Sequence, residues 1–134
     1  LLKIKVDADD PTAAVRAVRA AAPEAALIVD PNESWDEALL RATMPVLEEC
    51  RVAVLEQPVL AGEDDWLEGY TSPVPICADE AIHTVAELDM VAARYDAVNI
   101  KLDKTGGLTA ALALAAAVRA RGMGLMSGCM VCSS

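Results

Sequence analysis

Five charged residues recur at similar intervals along the chain, and each follows a short apolar run. About 25 residues separate one from the next, so each would end the strand of a repeated unit: Lys5, Asp30, Glu56, Asp79 and Lys101. Three carboxylates brought together need a positive counter-charge, because two unit charges roughly 4 Å apart repel by about 4 kcal/mol at an effective dielectric near 20. Oxygen ligands without histidine or thiolate favour Mg²⁺ over Zn²⁺. The residue types therefore predict a magnesium site with an amine on either side.

Lys5 precedes the acids in the sequence and Lys101 follows them, which would place the two amines on opposite sides of the metal. A divalent cation and a second ammonium disfavour charged lysine, so we expect a lysine pKa to fall from about 10.4 toward neutral pH. One lysine could then remove a proton beside a carboxylate whose developing charge the metal stabilises. The other could return a proton to the opposite face, as in a racemase or epimerase. In the alternative interpretation, each carboxylate pairs with a lysine, and Lys101 only marks a strand end that reaches to solvent.

The elements that position these residues alternate between strand and helix. Apolar runs predict strands at 1–6, 25–30, 52–56, 74–79, 97–101 and 123–127. Helical periodicity predicts helices at about 11–22, 34–50, 84–94 and 108–121, with a short helix within 64–70. Ser34 and Glu37 have the spacing of a capping box for the second of these helices.

A repeated strand–helix unit is typical of an α/β fold, either a parallel barrel or a doubly wound sheet. We favour the barrel because its strand ends all meet at one mouth, whereas an open sheet would spread the five residues along an edge. A full (β/α)8 barrel takes about 250 residues, so this chain would supply about six strands of a partial, TIM-like barrel.

Composition disfavours several classes of function. The formal net charge of −10 disfavours nucleic acids and anionic membranes as partners, and no apolar run reaches transmembrane length. The four cysteines, without a secretory signal, indicate reduced thiols in a cytoplasmic protein. Cys129 and Cys132 form a CxxC pair, but His83 is the single histidine, which argues against structural zinc and leaves a redox role open.

These motifs resemble those of the enolase superfamily, in its muconate-lactonising-enzyme subgroup, and most closely the dipeptide epimerases of the L-Ala-D/L-Glu type. The stretch 3–5, KIK, is similar to the KxK motif of that family, and NIKLDKTGGLT is similar to the segment that carries its opposite-face lysine. The resemblance implies acid/base roles for Lys5 and Lys101. It implies metal ligation by Asp30 in VDPNESW, Glu56 in LEQP and Asp79 in ADE.

The resemblance also implies a supporting set around these residues. Cys132 stands where cycloisomerases carry Glu, which favours the dipeptide branch, and Pro31 replaces a commoner Ala, which we expect to stiffen the loop. The residues expected to bind substrate or support the ligands are Lys3, Asn32, Glu80, Asp103, Cys129, Met130 and Cys132.

We therefore expect residues 1–134 to be the central segment of a C-terminal catalytic barrel, with a capping domain and the last strand outside this sequence. The implied protein is a Mg²⁺-dependent isomerase that epimerises a small dipeptide, for example from cell-wall peptides, and forms a homo-oligomer. Within the superfamily the alternatives are an N-acylamino acid racemase or a cycloisomerase. From other classes they are a Schiff-base aldolase, since strand-end lysines also serve carbonyl chemistry, and an inactive metal-binding barrel fragment.

Overall fold

One parallel sheet of six strands forms the centre of the structure. The structure is a computed structural model that describes residues 1–129. The strands lie side by side in chain order: β1 (Leu2–Lys5), β2 (Leu27–Asp30), β3 (Val52–Glu56), β4 (Ile76–Ala78), β5 (Ala97–Lys101) and β6 (Gly124–Gly128). An order that never reverses is that of a barrel wall, whereas a doubly wound sheet reverses its strand order at a switch point. The predicted partial barrel is confirmed.

Five α-helices connect the strands: α1 (Pro11–Ala21), α2 (Glu37–Glu49), α3 (Leu88–Ala92), α4 (Leu102–Thr105) and α5 (Leu108–Ala120). The sequence explains the start of α1 directly. Asp10 accepts a hydrogen bond from the Ala13 backbone N–H, and Pro11 occupies the first turn, where its missing N–H costs nothing.

Side chains alternate between the two faces of the sheet, and the alternation separates core from site. On β5, Val98 and Ile100 belong to the hydrophobic core formed with the helices. Their neighbours Asn99 and Lys101 therefore point to the opposite, inner face. The same alternation places Leu55 in the core and Glu56 on the inner face of β3. Polar side chains are thus gathered on one face by the period of the strands alone.

The predicted start of α2 is wrong. Asp36, rather than Ser34, caps the helix, and its side chain accepts a hydrogen bond of 2.8 Å from the Leu39 N–H. The reason lies outside the local sequence, because Trp35 forms an isolated parallel bridge with Val59. The extended backbone of that bridge prevents a helix from starting before Asp36.

Other elements also differ from their predicted boundaries. β2 and β4 are shorter than predicted, beginning at Leu27 and Ile76. The predicted helix at 84–94 is a 3-10 turn (Val85–Glu87) followed by the short α3, and the short helix within 64–70 is a 3-10 turn at Asp65–Leu67. α4 was not predicted.

Two further observations concern membrane-spanning helices and thiol chemistry. Over residues 1–129, none of the helices combines the length and hydropathy needed to cross a membrane. In the same range Cys50 and Cys77 are buried free thiols, as the sequence predicted.

Candidate active site at the carboxyl ends of the strands

The five residues predicted to act as bases or metal ligands all lie at the carboxyl ends of neighbouring strands. Lys5, Asp30, Glu56 and Lys101 are the last residues of β1, β2, β3 and β5, and Asp79 directly follows β4. In a parallel barrel this edge is where active sites are built. In strand order the two lysines stand on either side of the three acids. The spacing in the sequence therefore predicted the placement of the five residues.

Lys3 bridges two of the acids. Its Nζ lies 2.9 Å from Asp30 Oδ2 and 2.7 Å from Glu56 Oε2. Because strand residues alternate, Lys3 shares a face with Lys5, two positions further along β1. Burial lowers the pKa of Lys3, but the contacts with the Glu56 and Asp30 carboxylates outweigh burial and raise it. One cation thus already serves two of the predicted metal ligands.

Asp79 pairs with two lysines. Lys101 Nζ donates to Asp79 Oδ2 at 2.5 Å, and Lys104 Nζ donates to Asp79 Oδ1 and to its backbone carbonyl oxygen. Burial opposes ionisation of Asp79, yet the two ammonium groups outweigh it and hold its pKa below the ordinary value. Burial likewise lowers the pKa of Lys101, and the hydrogen bond to Asp79 reverses that effect and raises it. This differs from the predicted fall of a lysine pKa, which assumed a bound metal.

A second polar chain runs from Lys5 across the mouth of the site. Lys5 Nζ lies 3.0 Å from Asp30 Oδ2 and also donates to Asn32 Oδ1, while Asn32 Nδ2 donates to Glu80 Oε1 at 3.0 Å. The Lys5 side chain is 66% exposed, so a substrate can reach it. Burial, together with the nearby Asp79 carboxylate, raises the pKa of Glu80. The structure therefore brings Asn32 and Glu80 to the predicted site.

Asn99 holds Glu56 from the β5 side. Its Nδ2 donates to Glu56 Oε1 at 2.9 Å, and both residues are buried. Gly128 lies beside this pair: a Cβ there would stand 3.0 Å from Asn99 Nδ2 and 3.4 Å from Lys101 Cε. The glycine at the end of β6 thus leaves room for the side chains that end β5.

The donor chemistry fits a hard divalent cation, although the acids are paired with lysines. Within the described range 1–129, no group of three or more His, Cys, Asp or Glu side chains is placed to hold one ion. The lysine pairing that was the alternative to metal ligation is therefore present. However, one ammonium already lies between Asp30 and Glu56, and Glu56 Oε2 accepts no hydrogen bond of good geometry from the described residues. A cation with oxygen ligands therefore fits between these carboxylates if it replaces Lys3 as their counter-charge.

Sequence reasoning missed three residues of this site: Gln57, Asn99 and Lys104. Asn99 could have been found, because it lies two residues before Lys101 on the same strand and so on the same face. Gln57 and Lys104 gave no such signal. The Gln57 amide oxygen accepts a hydrogen bond from the Asp79 N–H and the Lys104 ammonium donates to the Asp79 carboxylate, and these contacts join residues 22 and 25 positions apart.

The remaining predicted residues differ in their placement. Asp103 lies in the first turn of α4 with its side chain exposed, and Cys129 follows β6 and is also exposed. Met130 and Cys132 lie outside the described residues.

Comparison with known proteins identifies the family of this chain. Residues 1–134 match the family model described as Enolase C-terminal domain-like. The chain is 52% identical over 134 residues to an L-Ala-D/L-Glu epimerase of Escherichia coli (strain K12), and 47% identical over 134 residues to an N-acetyl-D-glutamate racemase of Pseudoalteromonas sp. Each alignment covers 100% of this chain and 42% of the relative, so the chain spans less than half the length of these relatives.

A solved structure shares the same fold. It is a dipeptide epimerase from Methylococcus capsulatus complexed with Mg and the dipeptide L-Arg-D-Lys, with a TM-score of 0.89 and 34% identity. The match covers 96% of this chain and 39% of that one. The family model spans the whole sequence, and the six-stranded parallel sheet is the fold shared with the solved structure. The chain therefore belongs to the enolase C-terminal domain-like family of the enolase superfamily.

Proposed function

We propose that this chain carries the catalytic residues of a Mg²⁺-dependent dipeptide epimerase of the L-Ala-D/L-Glu type. The observation that supports this most is the strand order of the site, in which Lys5 and Lys101 stand on either side of three buried acids. A 1,1-proton transfer needs one base on each face of the carbon that inverts. The names of the relatives favour a dipeptide as substrate.

In this proposal Asp30, Glu56 and Asp79 would hold the metal. Bound magnesium would supply electrostatic stabilisation for the negative charge that develops on the substrate carboxylate as the α-proton leaves. Lys3 and Lys104 are the counter-charges of these acids in the structure. They would remain nearby as additional positive groups facing the developing charge.

The two strand-end lysines would then handle the proton. One amine takes the α-hydrogen as H⁺ from one face of the Cα, and the electron pair of the C–H bond is delocalised into the carboxylate. The opposite ammonium gives a proton to the other face, and the configuration is inverted. Lys101 is 11% exposed and Lys5 is 66% exposed at the side chain, so the two bases differ in their contact with solvent.

Isotope exchange tests the two-base scheme. In D₂O, the protein at its natural length should exchange the Cα hydrogen of both L-Ala-L-Glu and L-Ala-D-Glu. Lys5→Ala should abolish exchange from one epimer and Lys101→Ala from the other, because each variant keeps one base. Arg16→Ala, which breaks an exposed ion pair with Glu49 away from the site, serves as the control. If both epimers kept exchanging in either lysine variant, the proposal would be wrong.

A second candidate function is an N-acylamino acid racemase, because the Pseudoalteromonas relative is named an N-acetyl-D-glutamate racemase. The same exchange assay with N-acetyl-glutamate and with Ala-Glu separates the two candidates by their kcat/KM values. A Schiff-base aldolase has no counterpart among the three named relatives. Borohydride treatment in the presence of substrate should leave Lys101 unmodified.

We further propose a homo-oligomeric protein in the cytoplasm, with no nucleic acid or membrane as a partner. The acidic net charge of −10 supports the second part of this proposal. Light scattering on the protein at its natural length measures the assembly, and a monomeric mass would contradict the first part.

A further inference from the structure

The Gln57 side chain is fully buried and uses all of its hydrogen-bonding capacity. Its Nε2 donates to the Val59 carbonyl oxygen at 2.9 Å and to the Tyr95 hydroxyl at 3.1 Å. Its Oε1 accepts from the backbone N–H groups of Asp79 at 2.8 Å and Ala81 at 3.1 Å. A primary amide has two donors and two acceptor lone pairs, so all four are satisfied. The two backbone donors also fix which end of the amide is oxygen.

This arrangement links two candidate metal ligands through one side chain. Gln57 directly follows Glu56 at the end of β3, and its Oε1 holds the backbone of Asp79 after β4. The Gln57 backbone adds further ties, since its N–H donates to the Cys77 carbonyl oxygen at 2.8 Å and its own carbonyl accepts from Glu33 N–H at 2.9 Å. The relative position of the Glu56 and Asp79 carboxylates therefore depends on Gln57.

The far side of the amide is anchored by a buried polar chain. The Tyr95 hydroxyl donates to Asp64 Oδ2 at 2.6 Å, and Arg94 Nη1 donates to Asp64 Oδ1 at 2.7 Å. Burial and the hydrogen bond to the Asp64 carboxylate raise the pKa of Tyr95, so the hydroxyl remains a donor to Asp64 and an acceptor for Gln57. Buried hydrogen-bonded chains of this kind restrict a side chain to one orientation.

We propose that Gln57 is a positioning residue for the proposed metal site, setting the place of Asp79 through its backbone N–H. The inference rests on the proposed function, because it assumes that Asp79 is a ligand. Gln57 itself touches neither metal nor substrate in this scheme. Loss of a group that orients a ligand typically costs 10–100-fold in metal affinity.

The test compares two buried substitutions at opposite ends of the amide. Gln57→Met keeps the length of the side chain and removes the whole amide, including the acceptor for the Asp79 and Ala81 N–H groups and the donor to Val59 and Tyr95. Tyr95→Phe is the matched control, because it removes a buried hydrogen bond of the same network while leaving the Gln57 Oε1 contacts in place. Both variants should have a lower melting temperature. If Gln57→Met does not fold, Gln57→Asn replaces it, since its amide is one methylene too short to reach both backbone donors.

Two measurements on the protein at its natural length separate positioning from general destabilisation. Amide hydrogen exchange on the metal-free protein should be faster at residues 79 and 81 in the Gln57 variant and near wild type in Tyr95→Phe. Mn²⁺ binding, followed by the EPR signal of the free ion, should weaken about tenfold or more in the Gln57 variant. In Tyr95→Phe it should stay within about twofold, since the control retains the Oε1 contacts.

Each outcome has a distinct meaning. Wild-type Mn²⁺ affinity or unchanged exchange at Asp79 in the Gln57 variant would overturn the inference while leaving the proposed function intact. Equal weakening in both variants would also overturn it, because the cause would be general loss of stability. A wild-type protein that binds no Mn²⁺ would overturn the proposed metal function and, with it, the positioning role. The exchange data would then show only whether Gln57 holds the loop.

Discussion

Replacing Lys3 by Met should destabilise the protein and should make that destabilisation depend on magnesium. In the structure the Lys3 ammonium is the shared counter-charge of Asp30 and Glu56, at 2.9 and 2.7 Å. Met keeps most of the apolar stem and removes the charge, which leaves the buried Glu56 with the hydrogen bond from Asn99. Two neighbouring carboxylates then lose the cation between them.

The expected loss can be estimated from the burial of the partners. Removing one member of a buried ion pair costs roughly 3–5 kcal/mol. The Lys3 side chain is 39% exposed, so solvent screens part of the interaction, and we expect a loss of about 1–3 kcal/mol in the free energy of unfolding. Contact with the carboxylates raises the pKa of Lys3 above 10.5, so its stabilisation is complete below that pH and is lost as pH rises through the folded value. Measurement near neutral pH therefore captures the whole contribution.

Urea unfolding of the wild type and of Lys3→Met, with and without excess Mg²⁺, provides the assay. A ligand at about 100 times its Kd stabilises the folded state by about 2.7 kcal/mol. The gain should be larger in the variant, because in the wild type the ion must displace the ammonium first. Arg16→Met, which breaks an exposed ion pair with Glu49, should lose little stability and gain from Mg²⁺ as the wild type does. A loss in Lys3→Met that magnesium leaves unchanged would refute the idea that Asp30 and Glu56 share one cation site.

Three further predictions follow from the same contacts. Asp79→Asn should reduce the loss of stability at acid pH. Pairing with the two lysines keeps the pKa of Asp79 below 3.8, so its contribution to the free energy of unfolding is present above that pH and is lost as pH falls through the folded value. Urea unfolding of the wild type and the variant at acid pH measures the difference. Gly128→Ala should lower the free energy of unfolding by about 1–3 kcal/mol, because the added Cβ would lie 3.0 Å from the Asn99 amide nitrogen. An unchanged melting temperature would show that the Asn99 side chain moves away without cost. Arg19→Lys should lower the free energy of unfolding by about 1–3 kcal/mol, as calorimetry would measure. The Arg19 guanidinium donates to five backbone carbonyl oxygens, which an ammonium cannot reach together. A loss near zero would mean that water replaces these bonds.

The sequence could predict the strand ends because a buried parallel strand is a nearly continuous apolar run. A charge at the end of such a run marks the point where the chain leaves the core. The ends of β3 and β5 at Glu56 and Lys101 agree with prediction to the residue. The order of the strands then followed from the repeat length, because adjacent βα units in a barrel are neighbours in space.

Side-chain partners were harder to predict than backbone placement. Lys3 was predicted to have a supporting role, and in the structure it is the shared counter-charge of Asp30 and Glu56. Its position on β1 predicts the face of the sheet on which its side chain lies, but not which carboxylates the ammonium contacts. The contacts of Asp79 with Gln57 and Lys104 join residues more than 20 positions apart, and no local pattern encodes them. The prediction of the start of α2 was wrong for the same reason, because a long-range bridge between Trp35 and Val59 overrode the local capping signal.

The pairing of Lys101 with Asp79 sets a condition on any role of Lys101 as a base. A base must give up its proton near working pH, yet the carboxylate raises the pKa of Lys101 in spite of burial. The same contact lowers the pKa of Asp79, so each group keeps the other charged. A competing cation on Asp79 would weaken that support, and burial of Lys101, whose side chain is 11% exposed, would then lower its pKa against the Glu80 and Glu56 carboxylates, which still raise it. In the proposed function, Asp79 would therefore either pair with Lys101 or ligate the metal, and Lys101 would accept a proton more readily in the second state.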